Sequence, residues 1–174
     1  MRRLLLLRHA KTERAAPGEA DRARKLTDRG HADAPIIGAY MARHDLVPDL
    51  ALVSPVTRAQ QTWTAVAAML PKKPRVDEDA RIYNAGPWDL MDIIREADGA
   101  RTLLVVGHNP GLQELAVLLI ASGDADVRER IAEKLPTSGL VVIDFPFDDW
   151  PRLHPNSGRL ERFVSPRLIA AATD

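Results

Sequence analysis

Short apolar runs punctuate the chain at Leu4–Leu7, Leu50–Val53, Leu103–Val106 and Leu140–Ile143, each bounded by charged or turn-forming residues. Each is too brief for a helix, and an unbroken apolar run of this kind marks a strand buried on both faces. Between these runs the apolar spacing becomes helical. Ala59, Trp63, Val66, Ala67 and Leu70 share one helical face, as do Leu112, Leu115, Ala116 and Leu119. A further helix is expected after Thr27, whose hydroxyl suits an N-cap, through Tyr40 and Met41. Pro35 must either kink that helix or restart it, because proline has no N–H. The stretch Ala15–Arg24, with Pro17 and Gly18 among charges, reads as a solvated loop, and Asp144–Gly158, with three prolines, as an irregular region. Alternating strands and helices predict an α/β layer structure with a mostly parallel central sheet flanked by helices, in which ligands bind outside the carboxyl ends of the strands.

Composition narrows the partners. With 174 residues, 45% of them hydrophobic, the chain fits a single domain spanning residues 1–174. The 24 basic residues match 24 acidic ones, so no nucleic-acid or membrane partner is expected and any positive field must be local. The absence of cysteine excludes disulfides, thiolate metal sites and cysteine nucleophiles together. Met1-Arg2-Arg3 followed by leucines resembles the opening of a signal peptide, but Arg8 ends the apolar run. A secretory core needs ~7–15 apolar residues and a spanning helix ~20. The expectation is a cytoplasmic protein.

Three segments place basic or imidazole groups where a strand ends. In LLLLRHAKTE the strand is followed at once by Arg8 and His9. In LVSPVTRAQQT a strand runs through Ser54-Pro55 into a helix whose first turn carries Arg58. Free N–H groups and the positive end of the helix dipole attract an anion there, and a guanidinium adds paired donors suited to phosphate oxygens. In LLVVGHNPGL, His108 ends a strand, with Asn109 as the expected N-cap and Pro110 at the first helical position. Neighbouring strands lie ~4.8 Å apart, so side chains leaving their carboxyl ends can meet around one small anion.

With these motifs the chain resembles the histidine phosphatase superfamily, of phosphoglycerate-mutase-like fold, and within it the short SixA-type phosphohistidine phosphatases. LRHAKTE, KLTDRGHADA, VSPVTRAQQT, VVGHNPGL, PTSGLVVI and the closing FVSPRL carry the resemblance over almost the whole length. It implies a three-layer fold, His9 as nucleophile, Arg8, Arg58 and His108 binding the transferring phosphoryl group, and no metal or other cofactor. Ala10 stands where much of the superfamily has glycine. Many members also carry a glutamate acid after the third strand, where the similar region here reads ARIYNAGPWDL with Tyr83.

The implied chemistry is phosphoryl transfer to neutral His9 followed by hydrolysis, on a phosphohistidine-bearing protein or a small phosphate ester. The second imidazole nitrogen of His9 must then be held as a donor, by a backbone carbonyl the sequence does not identify. A small-molecule phosphomonoesterase with the same nucleophile, or a phosphate-recognising binding module with little turnover, are the alternatives. Lys11, Thr12 and Arg24 are further candidates for substrate contact, although a solvated loop explains them equally well. Asp89, Asp92 and Glu78 are the nearest acids by sequence, and the polar face of a helix accounts for the two aspartates. His31, His44 and His154 lie in polar surroundings and are expected at the surface. No HExxH, GxxxxGK[ST] or GxGxxG occurs, so neither a zinc site nor a nucleotide loop is expected.

Overall fold

The computed structural model describes residues 1–97 and 99–173. Among them seven strands form one sheet: β1 (Arg2–Arg8), β2 (Leu50–Val53), β3 (Arg75–Glu78), β4 (Thr102–Gly107), β5 (Ile120–Ser122), β6 (Leu140–Phe145) and β7 (Gly158–Val164), in the order β3-β2-β4-β1-β6-β7-β5. The pairs β1–β4, β2–β4, β2–β3 and β5–β7 are parallel, and β6 runs antiparallel to both its neighbours. The helices are α1 (Asp28–Arg43), α2 (Thr57–Ala67), α3 (Pro87–Arg95), α4 (Gly111–Leu119), α5 (Ala125–Glu133) and α6 (Pro166–Thr173).

Strand β1 shows why its run is wholly apolar. All four leucines are fully buried, but they serve two cores. Leu4 and Leu6 pack with Leu90 and Ile94 of α3, Leu112 and Leu115 of α4 and Ile131 of α5. Leu5 and Leu7 face Ile37 and Met41 of α1, Ala59 and Trp63 of α2 and Ile169 of α6. The result is a three-layer α/β structure. Each such side chain contributes about 1.5–3 kcal/mol by leaving water, so a polar residue on either face would be costly.

Where the local signal is weak, pairing decides. All four residues of β3 are exposed, and the strand is an edge defined only by its parallel ladder to β2, so no apolar pattern announces it. Of the Asp144–Gly158 region expected to be irregular, Asp144 and Phe145 complete β6 and Gly158 opens β7; the stretch between is irregular yet far from solvated. Phe145 and Phe147 stack with ring centres 5.2 Å apart, and buried Trp150 donates its indole N–H to the Ala100 carbonyl at 2.7 Å. Phe145 pairs with Arg2, so these aromatics close the sheet at the start of β1, away from its carboxyl end.

Helix α1 begins as expected, Thr27 Oγ1 accepting from the Gly30 N–H at 3.0 Å, and continues through Pro35 without restarting. Helix α2 ends at Ala67, so Leu70 packs from beyond it. Asn109 does not cap α4. Its side-chain amide donates instead to the Leu135 carbonyl at 2.8 Å, the Asn109–Pro110 bond is cis, and the helix starts at Gly111 with Pro110 in the cap position.

The chain leaving β1 lies flat against the first turn of α1. The Lys11 carbonyl accepts from the Thr27 N–H at 2.9 Å, and a Cβ on Gly30 would collide with that same oxygen. Both partners are backbone and neither can yield cheaply. Gly30→Ala should therefore destabilise the fold by about 1–3 kcal/mol, as overpacking does. The loss should appear as a lower urea midpoint with an unchanged m-value.

Candidate active site

Register brings the three strand ends together. Arg8 pairs with Gly107 and Val53 with Val106, so His9, His108 and Ser54 are the next residues out of adjacent parallel strands. The ladder continues one step past the strands: the His9 N–H donates to Gly107 O and the Ser54 N–H to Val106 O, both at 3.1 Å. The convergence expected from the three motifs is thus a consequence of aligned pairing.

His9 is only 7% exposed, and its ring centre lies 5.4 Å from that of His108. Its Nδ1 sits 2.8 Å from the Ala10 carbonyl. A carbonyl only accepts, so Nδ1 carries the hydrogen and Nε2 keeps the lone pair. Burial drives the His9 pKa down to about 3, against the Ala10 hydrogen bond and with further help from His108, Arg8 and Arg58. The ring is neutral at physiological pH. Thr62 ties this turn to α2, accepting from the Ala10 N–H at 2.9 Å and donating to the Arg58 carbonyl at 2.7 Å.

His108 Nε2 lies 2.7 Å from the Ser54 hydroxyl, and its Nδ1 is buried without a partner. Burial first, and then the nearby Arg58, lower its pKa to about 4, although Asp21 pulls the other way. The two arginines are likewise incompletely satisfied. Arg8 donates from Nη1 to the Leu135 carbonyl at 3.0 Å, and burial lowers its pKa. Arg58 is only 6% exposed, in the first turn of α2, whose N-terminus has no side-chain cap. The Nε of each guanidinium is buried and unpaired. Such donors are costly to bury empty, and an anion would satisfy them.

The loop expected to be merely solvated brings one residue to this site. Asp21 accepts from Arg58 twice, through its carbonyl at 2.9 Å and its carboxylate at 3.1 Å. The Tyr83 hydroxyl donates to the same carboxylate at 2.5 Å. That bond, followed by those from Arg24 and Arg58, outweighs desolvation and holds the Asp21 pKa at about 2. Tyr83 also meets the His108 ring edge-on at 5.7 Å. Nothing local in the sequence distinguishes Asp21 from its charged neighbours; only the fold across Ala15–Arg24 does.

The remaining candidates separate. Arg24 binds Thr12 Oγ1 at 2.8 Å, the Glu13 carbonyl and Asp21, so it pins the loop and engages Thr12 in doing so. Lys11 points into a groove beside the site. Asp89 is exposed and accepts from the Gly86 N–H at the start of α3, Asp92 pairs with Arg95, and Glu78 lies on the exposed edge strand. None of these three acids joins the cluster. His31 and His154 are exposed, as expected, whereas His44 is half-buried with its ring tilted against that of Tyr40, 4.1 Å between centres. Among the described residues no group of three or more histidines or carboxylates is placed to hold a metal.

Known proteins resemble this chain in sequence and in fold. The sequence profile of the histidine phosphatase superfamily (branch 1) matches residues 4–102. An uncharacterised protein of Mycobacterium tuberculosis is 38% identical over 165 residues, covering 92% of this chain and all of its own. The crystal structure of a putative phosphohistidine phosphatase SixA from Agrobacterium tumefaciens superposes with a TM-score of 0.77 at 31% identity, covering 95% of this chain and 99% of that one. The protein histidine phosphatase SixA complexed with tungstate shares the fold, with a TM-score of 0.74 at 20% identity over 96% of this chain and 99% of its own.

Two imidazoles held neutral have a thermodynamic signature. In the unfolded chain both protonate near 6.5, whereas in the fold they resist down to about 3 and about 4. Between those limits the unfolded state binds more protons, so stability falls as pH falls from 6.5 towards 4. Unfolding free energies measured by urea across that range should show this slope. In His9→Asn the slope should lessen by about one proton per molecule.

Proposed function

The chain belongs to the histidine phosphatase superfamily (branch 1), and we propose that it removes phosphoryl groups from phosphohistidine in another protein, through a phosphohistidine intermediate on His9. The observation that carries this reading is a neutral His9 imidazole, its Nδ1 held by the Ala10 carbonyl, in the neighbourhood of the buried and unpaired Arg8 Nε, Arg58 Nε and His108 Nδ1. In the first step the Nε2 lone pair forms the new P–N bond as the bond to the substrate nitrogen breaks, its electron pair returning to a substrate imidazole that is already protonated on its other nitrogen and so leaves neutral. In the second, water attacks phosphorus, the P–N bond to His9 breaks, and inorganic phosphate leaves with the protons of that water. The ring returns to its starting tautomer because Ala10 O keeps the hydrogen on Nδ1 throughout.

Charge on the phosphoryl oxygens is met by Arg8, Arg58 and the uncapped N-terminus of α2. For His108 to donate from Nδ1, Nε2 must accept from the Ser54 hydroxyl, which their 2.7 Å separation allows. An incoming phosphoryl oxygen takes the place of Asp21 on the terminal amino groups of Arg58.

Leaving-group chemistry favours phosphohistidine over an alkyl ester. An alkoxide departs poorly without a positioned acid, whose help is worth ~10²–10⁴ in rate. Asp89 caps a helix, and Asp21 at a pKa of about 2 holds no proton near neutrality. A phosphorylated imidazole that has taken a proton from water on its other nitrogen, as a pKa of ~6.5 for the imidazolium allows near neutrality, departs as a stable neutral ring without that help.

The kcat/KM for a phosphohistidine-bearing protein should therefore exceed that for aryl phosphates, with alkyl phosphates slowest. Faster turnover of alkyl esters would make this a small-molecule phosphatase instead. His9→Ala should lose activity on every substrate, and label from a phosphorylated substrate should be recovered as acid-labile phosphate on His9 in the wild type. Arg58→Ala and His108→Ala should each lower kcat by ~10²–10³ with a smaller effect on KM. Steady-state kinetics showing a change confined to KM would reduce these residues to uniform binding.

A further inference from the structure

Beside the phosphate site lies a groove of about 550 Å³, within the range of ligand clefts, which the chemistry above does not use. Two of its walls are continuous with that site. One is the segment after His9, contributing Lys11. The other is the turn after α5, where Leu135 O holds the Arg8 guanidinium and the Ser138 N–H donates to both the Arg8 and His9 carbonyls at 3.1 Å. Whatever fills the groove therefore sits against the backbone that carries the nucleophile.

Charge in the groove is unbalanced although the whole chain is neutral. Lys11, Arg29, Arg130, Lys134 and Arg167 line it, against only Asp33 and Glu133. Arg29 is matched by Asp33 one helical turn away at 3.3 Å. The other four cations make no ion pair or side-chain hydrogen bond among the described residues, and all four are exposed. Between them lie Pro136, Phe163 and Leu168, each half-buried, so the groove has apolar ground between basic points.

We propose that this groove docks an acidic, partly apolar segment of the phosphorylated protein substrate, next to its phosphohistidine. The proposal rests on the phosphohistidine reading of the site for its biological sense but not for its chemistry. A peptide can set carboxylates against Arg130, Lys134 and Arg167 singly and lay an aliphatic side chain on Phe163. A uniformly charged polymer or an anionic bilayer would also meet Asp33 and Glu133. Docking of this kind acts on encounter and on KM, because its contacts are equal in ground and transition states.

The test uses a fluorescent peptide with a central histidine flanked by Asp, Glu and Leu, and a second in which Lys replaces the acidic residues. By anisotropy at low ionic strength, the acidic peptide should bind in preference, and added salt should weaken it. The combined variant Arg130→Glu, Lys134→Glu and Arg167→Glu should weaken binding about tenfold, three exposed charge contacts being lost. Its turnover of p-nitrophenyl phosphate should stay at the wild-type level, showing that fold and phosphate site are intact; Arg130→Gln with Arg167→Gln gives a milder version should the reversal perturb folding. No binding of the acidic peptide, equal binding of the lysine peptide, indifference to both variants, or tighter binding of oligothymidylate or phosphatidylserine vesicles would each overturn the proposal. The phosphohistidine form of the acidic peptide separates the two readings. If it binds in the groove but is not hydrolysed, docking stands and the phosphohistidine function fails.

Discussion

Parallel pairing of β1 with β4 decides where the chemistry can stand. Once Arg8 is opposite Gly107, the next residue on each strand is a histidine, and the two rings have nowhere to go but beside one another. The same ladder sets Ser54 beside His108. A shift of one residue in either pairing would turn the leucines of β1 towards the wrong core, because alternate residues serve opposite layers. The burial of Leu4–Leu7 therefore enforces the geometry of the site as strongly as any contact within it. Stability and function share one constraint here.

Electrostatics in the cluster follow from that enforced crowding. Two guanidinia and two imidazoles lie together near the end of a sheet, where water is scarce. Arginine cannot shed its charge, so the imidazoles shed theirs. Neutral rings are what a nitrogen nucleophile and a neutral hydrogen-bond donor require, and the positive charge that remains is concentrated on the guanidinia. Burial and neighbouring cations thus hold both histidines in the neutral form that the proposed transfer needs.

Much of this was legible in the sequence, for identifiable reasons. Strands β1, β2, β4 and β6 are apolar on both faces and announce themselves, and the residues that follow three of them form the cluster. The partner of His9 Nδ1 was foreseeable as a carbonyl, though not as that of Ala10. Less was visible where long-range pairing or loop conformation decides. Strand β3 has no buried residue to mark it, and the Asn109 side chain prefers a carbonyl across the turn to capping its own helix. Asp21 lies among charges that look alike in one dimension, and only the fold of its loop singles it out to meet Arg58 and Tyr83. Tyr83, noted only for standing near a missing glutamate, turns out to face His108.

The contact between Asp21 and Arg58 also changes what recognition means in this pocket. In the proposed reaction an anion that reaches the terminal amino groups of Arg58 exchanges with a carboxylate already in place, and its gain there is the difference between two similar interactions. For a monovalent ion such as acetate that exchange is nearly level. A phosphoryl group carrying close to two charges and three acceptor oxygens tips it. On the proposed reading the loop thereby converts simple attraction at Arg58 into a threshold on charge number.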